Sequence, residues 1–171
     1  GGTGMRSGIG YDSHRFADGR RLVLGGVEIP HGQGLAGHSD ADVVAHAITD
    51  ALLGAAALGD IGHHFPPGGE AWRDADSLEL LERAVALVRD AGFAPVNVDA
   101  TVICEAPRLV GHVGAMQARL AAALGLDTGA VSVKATTNEG MGWIGRGEGI
   151  ATLAVAAIAE GQSPRDSGHP V

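Results

Sequence analysis

Residues 39–59, SDADVVAHAITDALLGAAALG, carry the clearest structural signal in the chain. Their apolar residues cover one wide arc of a helical wheel, whereas Asp42, His46 and Asp50 recur at every fourth position and form one polar edge. The segment therefore predicts an amphipathic helix in which His46 lies beside the buried face. From this spacing alone, His46 can be either a histidine at the margin of the core or a metal ligand.

Capping residues mark both ends of this helix. Ser39 or Asp40 can accept hydrogen bonds from the first turn. We expect the helix to run to about Leu58, because Gly59 readily adopts the left-handed conformation that ends many helices. Outward from it, further periodic segments predict strands at 5–14, 96–104 and 131–136, a hairpin at 21–29, and helices at about 76–92 and 110–124. The run at 150–159 fits a strand or a helix, and we predict a strand because a glycine-rich segment precedes it.

The length and composition predict one compact domain. The chain has 171 residues, of which 45% are hydrophobic, 4% are aromatic and 28 are glycine, so its core is thin for its length. A thin core raises the expectation that an oligomer interface supplies further burial. We expect residues 5–161 to form this single domain, residues 1–4 to be an expression remnant, and residues 162–171 to be a flexible tail.

Charge, cysteine content and hydrophobicity indicate which partners and which cellular compartment to expect. Twenty Asp and Glu against 12 Lys and Arg give a net charge of −8, which disfavours nucleic acid as a partner. The single cysteine, Cys104, fits a reducing compartment, so we expect a cytoplasmic protein. No apolar run is long enough to predict a membrane span.

Three residues could hold a metal ion. Asp12 and His14 are two apart on a predicted strand, so their side chains project from one face, although such pairs are more often solvated than ligating. Together with His46 they would supply one carboxylate and two imidazoles, as in catalytic zinc sites that keep a fourth position open.

A second polar region begins where the predicted strand at 131–136 ends. Residues 134–139, KATTNE, offer a cation, two hydroxyls and a carboxylate that could bind phosphate or magnesium, and a polar strand end is the alternative. The following glycine-rich stretch, 140–149, contains Trp143 and Arg146 but lacks the Gly-Lys-Ser/Thr of a P-loop. Arg146 could bind a diphosphate or belong to a structural turn.

Several segments, in order along residues 5–160, resemble the 2-C-methyl-D-erythritol 2,4-cyclodiphosphate synthase family. They are residues 8–16 (GIGYDSHRF), 37–43 (GHSDADV), 46–54 (HAITDALLG), 59–62 (GDIG), 65–66 (FP), 106–108 (APR), 134–139 (KATTNE) and 145–149 (GRGEG). One segment departs from the family pattern. Phe65-Pro66-Pro67-Gly68-Gly69-Glu70 stands where the family usually has Phe-Pro-Asp-Thr-Asp-Pro, in a loop expected to cover the substrate.

The resemblance implies an α/β (α+β) domain with a mixed sheet, helices on one face, and a homotrimer whose sheets face the threefold axis. It implies zinc at Asp12, His14 and His46, and a second cation, magnesium or manganese, held at the diphosphate by Glu139. His38, Thr137 and Glu139 would be catalytic. The substrate-binding residues that it implies are Asp12, His14, His38, Ser39, Asp60, Gly62, Phe65, Cys104, Ala106, Pro107, Arg108, Thr136, Thr137, Trp143 and Arg146.

The implied reaction is intramolecular. The 2-phosphate of 4-diphosphocytidyl-2-C-methyl-D-erythritol 2-phosphate attacks the β-phosphorus, CMP leaves, and a cyclic diphosphate closes in non-mevalonate isoprenoid precursor biosynthesis. The active site would be shared between neighbouring subunits, and the central cavity of the trimer could take an isoprenoid diphosphate. Two alternatives are a metal-dependent phosphoesterase and a trimeric protein that binds isoprenoid diphosphates through Arg146.

Overall fold

The structure is a computed structural model that describes residues 4–161. Residues 1–3 of the predicted remnant at 1–4, and the whole predicted tail at 162–171, lie outside the described residues. In chain order the elements are β1 (Met5–Ala17), β2 (Leu22–Leu24), β3 (Val27–Ile29), β4 (Gly34–Leu35), α1 (Val43–Ala55), α2 (Ile61–His64), α3 (Ser77–Asp90), β5 (Phe93–Ile103), α4 (Val113–Leu124), β6 (Val131–Thr136), α5 (Gly142–Gly145) and β7 (Gly149–Glu160).

Five strands form one mixed sheet in the order β4, β1, β7, β5, β6. β7 pairs antiparallel with both β1 and β5, whereas β5 and β6 run parallel. α1 packs on β1, β7 and β5, while α3 contacts β5 and α4 contacts β6. The prediction of one α/β domain with a mixed sheet and helices is therefore confirmed, as is the strand at 150–159.

Two glycines allow α1 to lie directly on β1. A Cβ atom added at Gly8 would stand 2.1 Å from the Ala51 carbonyl oxygen, and one added at Gly10 would stand 1.9 Å from the Ala47 carbonyl oxygen. Since no side chain fits in this space, the two backbones are in contact. This contact brings the first turns of α1 next to the strand segment that follows Gly10.

The ends of α1 differ from the prediction. The cap is Asp42, whose buried carboxylate accepts from the N–H groups of Val44 and Ala45, so the helix begins later than Ser39 or Asp40 would set it. The same carboxylate also accepts from Gly25 and Gly26 in the turn between β2 and β3, at 2.8 and 2.7 Å. Asp42 thus ties the predicted hairpin, which is confirmed, to the start of α1.

α1 also ends earlier than Leu58. Ala57 has a φ of 57° and occupies the left-handed position that Gly59 was expected to fill. The Ala57 N–H donates to the Gly54 carbonyl and the Leu58 N–H to the Leu53 carbonyl, at 3.0 and 2.9 Å. This pair of bonds is the Schellman pattern, which here forms around alanine instead of glycine.

β5 starts at Phe93, earlier than the alternation from Val96 indicates. The pairing of β5 with β7 shifts register between Pro95 and Asn97, so Pro95 is buried and Val96 is 37% exposed. A bulge of this kind moves one residue to the other face. From Val98 onward the buried positions alternate as predicted.

Candidate active site

Asp12, His14 and His46 converge at one point between β1 and α1. The Nε2 atom of His14 lies 2.8 Å from Oδ2 of Asp12, and Nδ1 of His46 lies 3.1 Å from the same oxygen. The two ring nitrogens are 3.4 Å apart. The sequence pattern predicted Asp12 and His14 on one face of a strand and His46 at the edge of the helix, and the fold brings these side chains together.

Hydrogen bonds on the far side of each ring determine which nitrogen faces this point. Nδ1 of His14 lies 2.8 Å from the Ala36 carbonyl oxygen, which can only accept, so that nitrogen carries the proton. Nε2 of His46 lies 2.8 Å from Oγ of Ser77, and the Ser77 hydroxyl in turn donates to the Asp40 carboxylate. Both rings therefore direct a lone pair toward Asp12 when neutral.

Ser77 contacts the His46 ring and is itself bound by Asp40, and the sequence analysis predicted neither residue in this role. Ser77 is fully buried at the start of α3, and its N–H donates to Asp40 at 3.0 Å. Asp40 was considered only as a helix cap, and Ser77 was not singled out. No local spacing relates residues 37 positions apart, so only the packing of α3 on α1 reveals this contact.

The electrostatics favour a cation at the shared point. Burial opposes ionisation of Asp12, but the hydrogen bonds and charges of His14 and His46 outweigh it and lower the pKa of this carboxyl from 3.8 to about 2. Burial opposes protonation of His46, but the hydrogen bond and charge of Asp12 outweigh it and raise the pKa of the ring above 6.5. One carboxylate and two imidazoles with converging atoms match the donor set of a three-ligand metal centre.

This cluster opens onto a cavity of about 240 Å³. Among the predicted site residues, His38, Ser39, Gly62 and Phe65 line the cavity together with the three candidate ligands. Asp60 caps α2 at the edge of this region by accepting from the His63 N–H at 2.9 Å. The further lining residues, which the sequence analysis did not assign to the site, are Ile61, Pro66, Pro67, Trp72 and Leu80.

The loop that departs from the family pattern forms part of the cavity wall. His38 Nε2 lies 2.9 Å from the Gly69 carbonyl oxygen, so this ring contacts the loop. The rings of Phe65 and Trp72 meet edge to face with centroids 5.2 Å apart, and the Arg83 guanidinium lies 5.1 Å from the Trp72 ring centroid. Aromatic and cation–π contacts therefore hold a loop that lacks the usual two carboxylates.

The rest of the predicted polar edge of α1 does not point at the cluster. The Asp42 carboxylate instead accepts hydrogen bonds from four backbone N–H groups. Asp50 accepts from the Ile61 N–H at 2.7 Å and so fixes the start of α2. Of the three residues at four-residue spacing, only His46 faces Asp12.

The remaining predicted residues form a second cluster at the carboxyl ends of the parallel strands β5 and β6. The Cys104 N–H donates to the Thr136 carbonyl at 2.9 Å, which places the 104–108 turn beside the 136–139 turn. Cys104 donates its thiol to the Ala106 carbonyl, and Pro107 follows Ala106 through a cis peptide bond. Burial raises the pKa of the Cys104 thiol to about 11, which disfavours the thiolate form that a nucleophilic cysteine needs.

The glycine-rich segment continues this second cluster. Trp143 in α5 is 36% exposed, and it lines an open cavity of about 590 Å³ together with His14 of the first cluster. Arg146 donates through Nε to Glu148 at 2.6 Å, and Arg108 is exposed. Glu139 has a φ of 53°, a left-handed conformation that few residues other than glycine adopt.

The fold and the site define a single-domain α/β protein with a candidate three-ligand metal centre that opens onto a small cavity. A family model described as the YgbB family matches residues 5–159. The chain therefore belongs to the YgbB family.

Relatives and solved structures agree with this assignment. The chain is 59% identical over 154 residues to a protein of Salinibacter ruber named 2-C-methyl-D-erythritol 2,4-cyclodiphosphate synthase, with 90% of this chain and 98% of the relative covered. The bifunctional IspDF of Campylobacter jejuni superposes with a TM-score of 0.90 at 43% identity, covering 93% of this chain and 43% of that chain. A CDP complex of Plasmodium falciparum IspF gives a TM-score of 0.82 at 30% identity, covering 95% and 100%. Within residues 4–161, no helix is both long and apolar enough to cross a membrane.

Proposed function

We propose that the protein is a lyase that converts 4-diphosphocytidyl-2-C-methyl-D-erythritol 2-phosphate to 2-C-methyl-D-erythritol 2,4-cyclodiphosphate and CMP. The observation that carries this proposal is the convergence of Asp12, His14 and His46 beside a cavity, in a chain that matches synthases of this name over nearly their full length. In the reaction, a 2-phosphate oxygen attacks the β-phosphorus, and the bond from that phosphorus to the oxygen retained by CMP breaks. The product belongs to non-mevalonate isoprenoid precursor biosynthesis.

In the first cluster, Asp12, His14 and His46 would hold a zinc ion. Such an ion would supply positive charge and act as a Lewis acid toward a phosphate oxygen. His14 and His46 present the correct nitrogens because Ala36 and Ser77 bind the opposite side of each ring. The small cavity lined by His38, Ser39 and Phe65 would hold the methylerythritol part of the substrate beside the ion.

In the second cluster, the 104–108 turn would bind cytosine through its backbone, with Ala106, Pro107 and Arg108 around the base. The hydroxyls of Thr136 and Thr137 would bind the diphosphate. Glu139 would hold a second cation, magnesium or manganese, which offsets the repulsion between two anionic phosphates. Trp143 and Arg146 stand at the exposed side of this cluster, where a diphosphate can reach them.

We further propose that the protein acts as a homotrimer whose sheets face the threefold axis. The support is an apolar surface on β1 and β7, opposite the helices, where Ile9 is 70% exposed, Tyr11 54%, Leu153 41% and Val155 48%. Ile9 pairs with Val155 and Tyr11 with Leu153, so the four side chains form one contiguous patch. Burying such a patch in an interface is strongly favourable. Each active site would then combine the first cluster of one subunit, with Asp12, His14 and His46, with the second cluster of the neighbouring subunit.

Three further expectations belong to this proposal. Residues 5–161 form the whole catalytic domain, the enzyme works in the cytoplasm, and the central cavity of the trimer takes an isoprenoid diphosphate near Arg146. The last of these is tested by adding an isoprenoid diphosphate to the trimer and to its Arg146→Ala variant in a calorimeter. Loss of the heat signal in the variant is the expected result, and an unchanged signal contradicts it.

Phosphorus NMR of the products tests the proposed reaction. The protein is incubated with the cytidine diphosphate substrate, with and without a chelator. We expect CMP and a cyclic diphosphate in the metal-containing sample and neither product after chelation. CMP with a linear phosphorylated product identifies a phosphoesterase instead.

The ligand assignment is tested with His46→Ala, and His31→Ala is the matched control because His31 is exposed and lies outside the cluster. We expect His46→Ala to lose zinc and turnover while the oligomeric state stays unchanged. Normal zinc content and activity in this variant contradict the assignment of His46 as a ligand. The control keeps both properties.

A further inference from the structure

The two turns of the second cluster are joined by a side chain to which the proposed function gives no role. β5 and β6 end side by side, with Ile103 paired to Thr136, and the turn at 104–108 then runs beside the turn at 136–140. Glu105 lies in the first turn and reaches across to the second. Its Oε1 atom accepts from the Asn138 N–H at 2.7 Å and from the Gly140 N–H at 3.3 Å.

These two bonds bracket Glu139. Asn138 precedes it and Gly140 follows it, so the Glu105 carboxylate holds the backbone on both sides of the residue proposed to bind the second cation. Glu139 has a φ of 53° and Gly140 a φ of 71°, and left-handed backbone at a residue with a Cβ atom persists only where neighbouring contacts hold it. The Glu139 N–H itself donates to Thr137 Oγ1 at 3.2 Å.

The far side of the same turn is also fixed. A Cβ atom added at Gly145 would lie 2.0 Å from the Gly140 carbonyl carbon, so α5 packs directly on this backbone. The Asn138 side-chain amide donates to the Met141 carbonyl at 2.8 Å. The turn is therefore held between α5 on one side and Glu105 on the other, and Glu105 adds a side-chain link to the 104–108 turn beyond the backbone bond from Cys104 to Thr136.

We propose that Glu105 is a positioning residue that sets the Asn138–Gly140 turn, and with it the Glu139 carboxylate, at a fixed distance from the cytosine-binding turn. It acts as a hydrogen-bond acceptor of the right length, and its charge and any direct contact with a cation are not required. The inference rests on the proposed function, because it concerns how the base and the diphosphate of one nucleotide are bound together. Cytosine binding and cation binding are coupled through this side chain.

Two substitutions separate acceptor geometry from charge. Glu105→Gln keeps the length and a carbonyl oxygen that can accept both bonds, but it removes the charge. Glu105→Asp keeps the charge but is one methylene shorter, and Glu105→Ala removes the acceptor altogether. Glu82→Ala, at an exposed glutamate of α3, is the matched control.

The first measurement is calorimetric binding of CDP with magnesium, with CMP as a second probe. We expect Glu105→Ala to weaken magnesium-dependent CDP binding by about 10–100-fold, the range typical of groups that orient metal ligands. CMP binding should change less, because CMP lacks the β-phosphate at which Glu139 is proposed to hold its cation. Glu105→Gln and the control should stay within about threefold of the unsubstituted protein, and Glu105→Asp should resemble Glu105→Ala.

The second measurement is kcat/KM together with zinc content and thermal unfolding. If Glu105 had only a structural role, Glu105→Ala would be less stable, but the molecules that remain folded would show the same dependence of CDP binding on magnesium as the unsubstituted protein. Wild-type CDP affinity in Glu105→Ala overturns the proposal, as does a Gln variant that is as defective as the Ala variant while Asp is active. If Glu105→Ala does not fold, the contrast between Gln and Asp decides. Absence of a cyclic product from the unsubstituted protein refutes the proposed function, whereas the binding measurements do not depend on turnover.

Discussion

Gly10→Ala tests whether the contact between α1 and β1 builds the metal cluster. The added Cβ would start 1.9 Å from the Ala47 carbonyl oxygen, whereas an ordinary carbon–oxygen contact needs about 3.3 Å. α1 would therefore have to move away from β1 by about 1.4 Å at this point. Ala47 follows His46 directly, so the same movement carries His46 away from Asp12 and His14.

We expect Gly10→Ala to impair zinc binding strongly while the protein still folds. Metal–ligand distances tolerate deviations of only about 0.2 Å, so a shift of this size removes His46 from a shared ion. We expect zinc affinity to fall by about 10–100-fold or more and the free energy of unfolding to fall by about 1–3 kcal/mol, as in overpacked cores. Zinc affinity is measured by competition with a chromophoric chelator, and unfolding is measured in urea at fixed protein concentration.

Gly54→Ala is the matched control on the same helix. Its added Cβ has only the Ile9 carbonyl oxygen nearby, at 3.9 Å, which is an ordinary contact, and Gly54 is exposed. We expect this variant to keep its zinc affinity and to gain about 0.5–1 kcal/mol, because alanine is the better helix former. Unchanged zinc affinity and stability in Gly10→Ala would show that the close approach of the two elements does not set the ligand geometry.

Three further predictions concern the same region. Ser77→Ala removes the nearer of the two hydroxyls beside His46 Nε2, at 2.8 Å against 3.3 Å for Ser39, and should weaken zinc binding by about 10–100-fold in the chelator competition; wild-type affinity would contradict the role given to Ser77. Asp42→Asn should lower the free energy of unfolding in urea by about 1–3 kcal/mol, because its NH₂ group would face the half-buried N–H of Gly26, and an unchanged midpoint would refute this. Zinc affinity should rise with pH and level off above the raised pKa of His46, because a proton competes with zinc for that ring. Asp12 stays ionised throughout, since its pKa is about 2. The stability of the metal-free protein should show the opposite trend and fall as pH rises through the His46 pKa, because the bond from protonated His46 to Asp12 is then lost. Titrations between about pH 6 and pH 9 measure both slopes, and flat profiles would contradict the pairing.

The sequence allowed the elements and the orientation of the three candidate ligands to be predicted because both follow short-range periodicity, whereas the choice of Asp12, His14 and His46 as one ligand set came from the family resemblance. Asp12 and His14 are two apart on a strand, and His46 lies at the margin of an apolar arc, so each position follows from the strand or helix repeat. The convergence of the strand pair with the helix does not follow from periodicity. It depends on Gly8 and Gly10, whose role appears only once α1 is seen to lie on them.

The contacts that could not be predicted join residues far apart in the chain. Asp42 was grouped with His46 by spacing, yet its carboxylate caps α1 and binds the β2–β3 turn, because it accepts from four backbone N–H groups, three of them buried. Ala57 ends α1 two residues before the glycine that seemed suited to that position. Turn and cap chemistry of this kind is decided by which backbone groups are buried together, and the local sequence does not reveal that.

The acidic character of the chain is compatible with a polyanionic substrate because bound cations can supply positive charge at one site. The residues that line the cavity beside Asp12, all within the described part of the chain, include histidines but neither Lys nor Arg. In the second cluster, Arg146 is paired with Glu148, and Lys134 with Asp99, so part of the available positive charge is already neutralised. If Asp12, ionised at neutral pH, holds a divalent ion as proposed, net positive charge would remain where the 2-phosphate approaches the diphosphate. In the proposed reaction, bound cations would therefore supply the positive charge that lysines and arginines supply in many phosphate sites, and the positions of Asp12, His46 and Glu139 would decide where that charge stands.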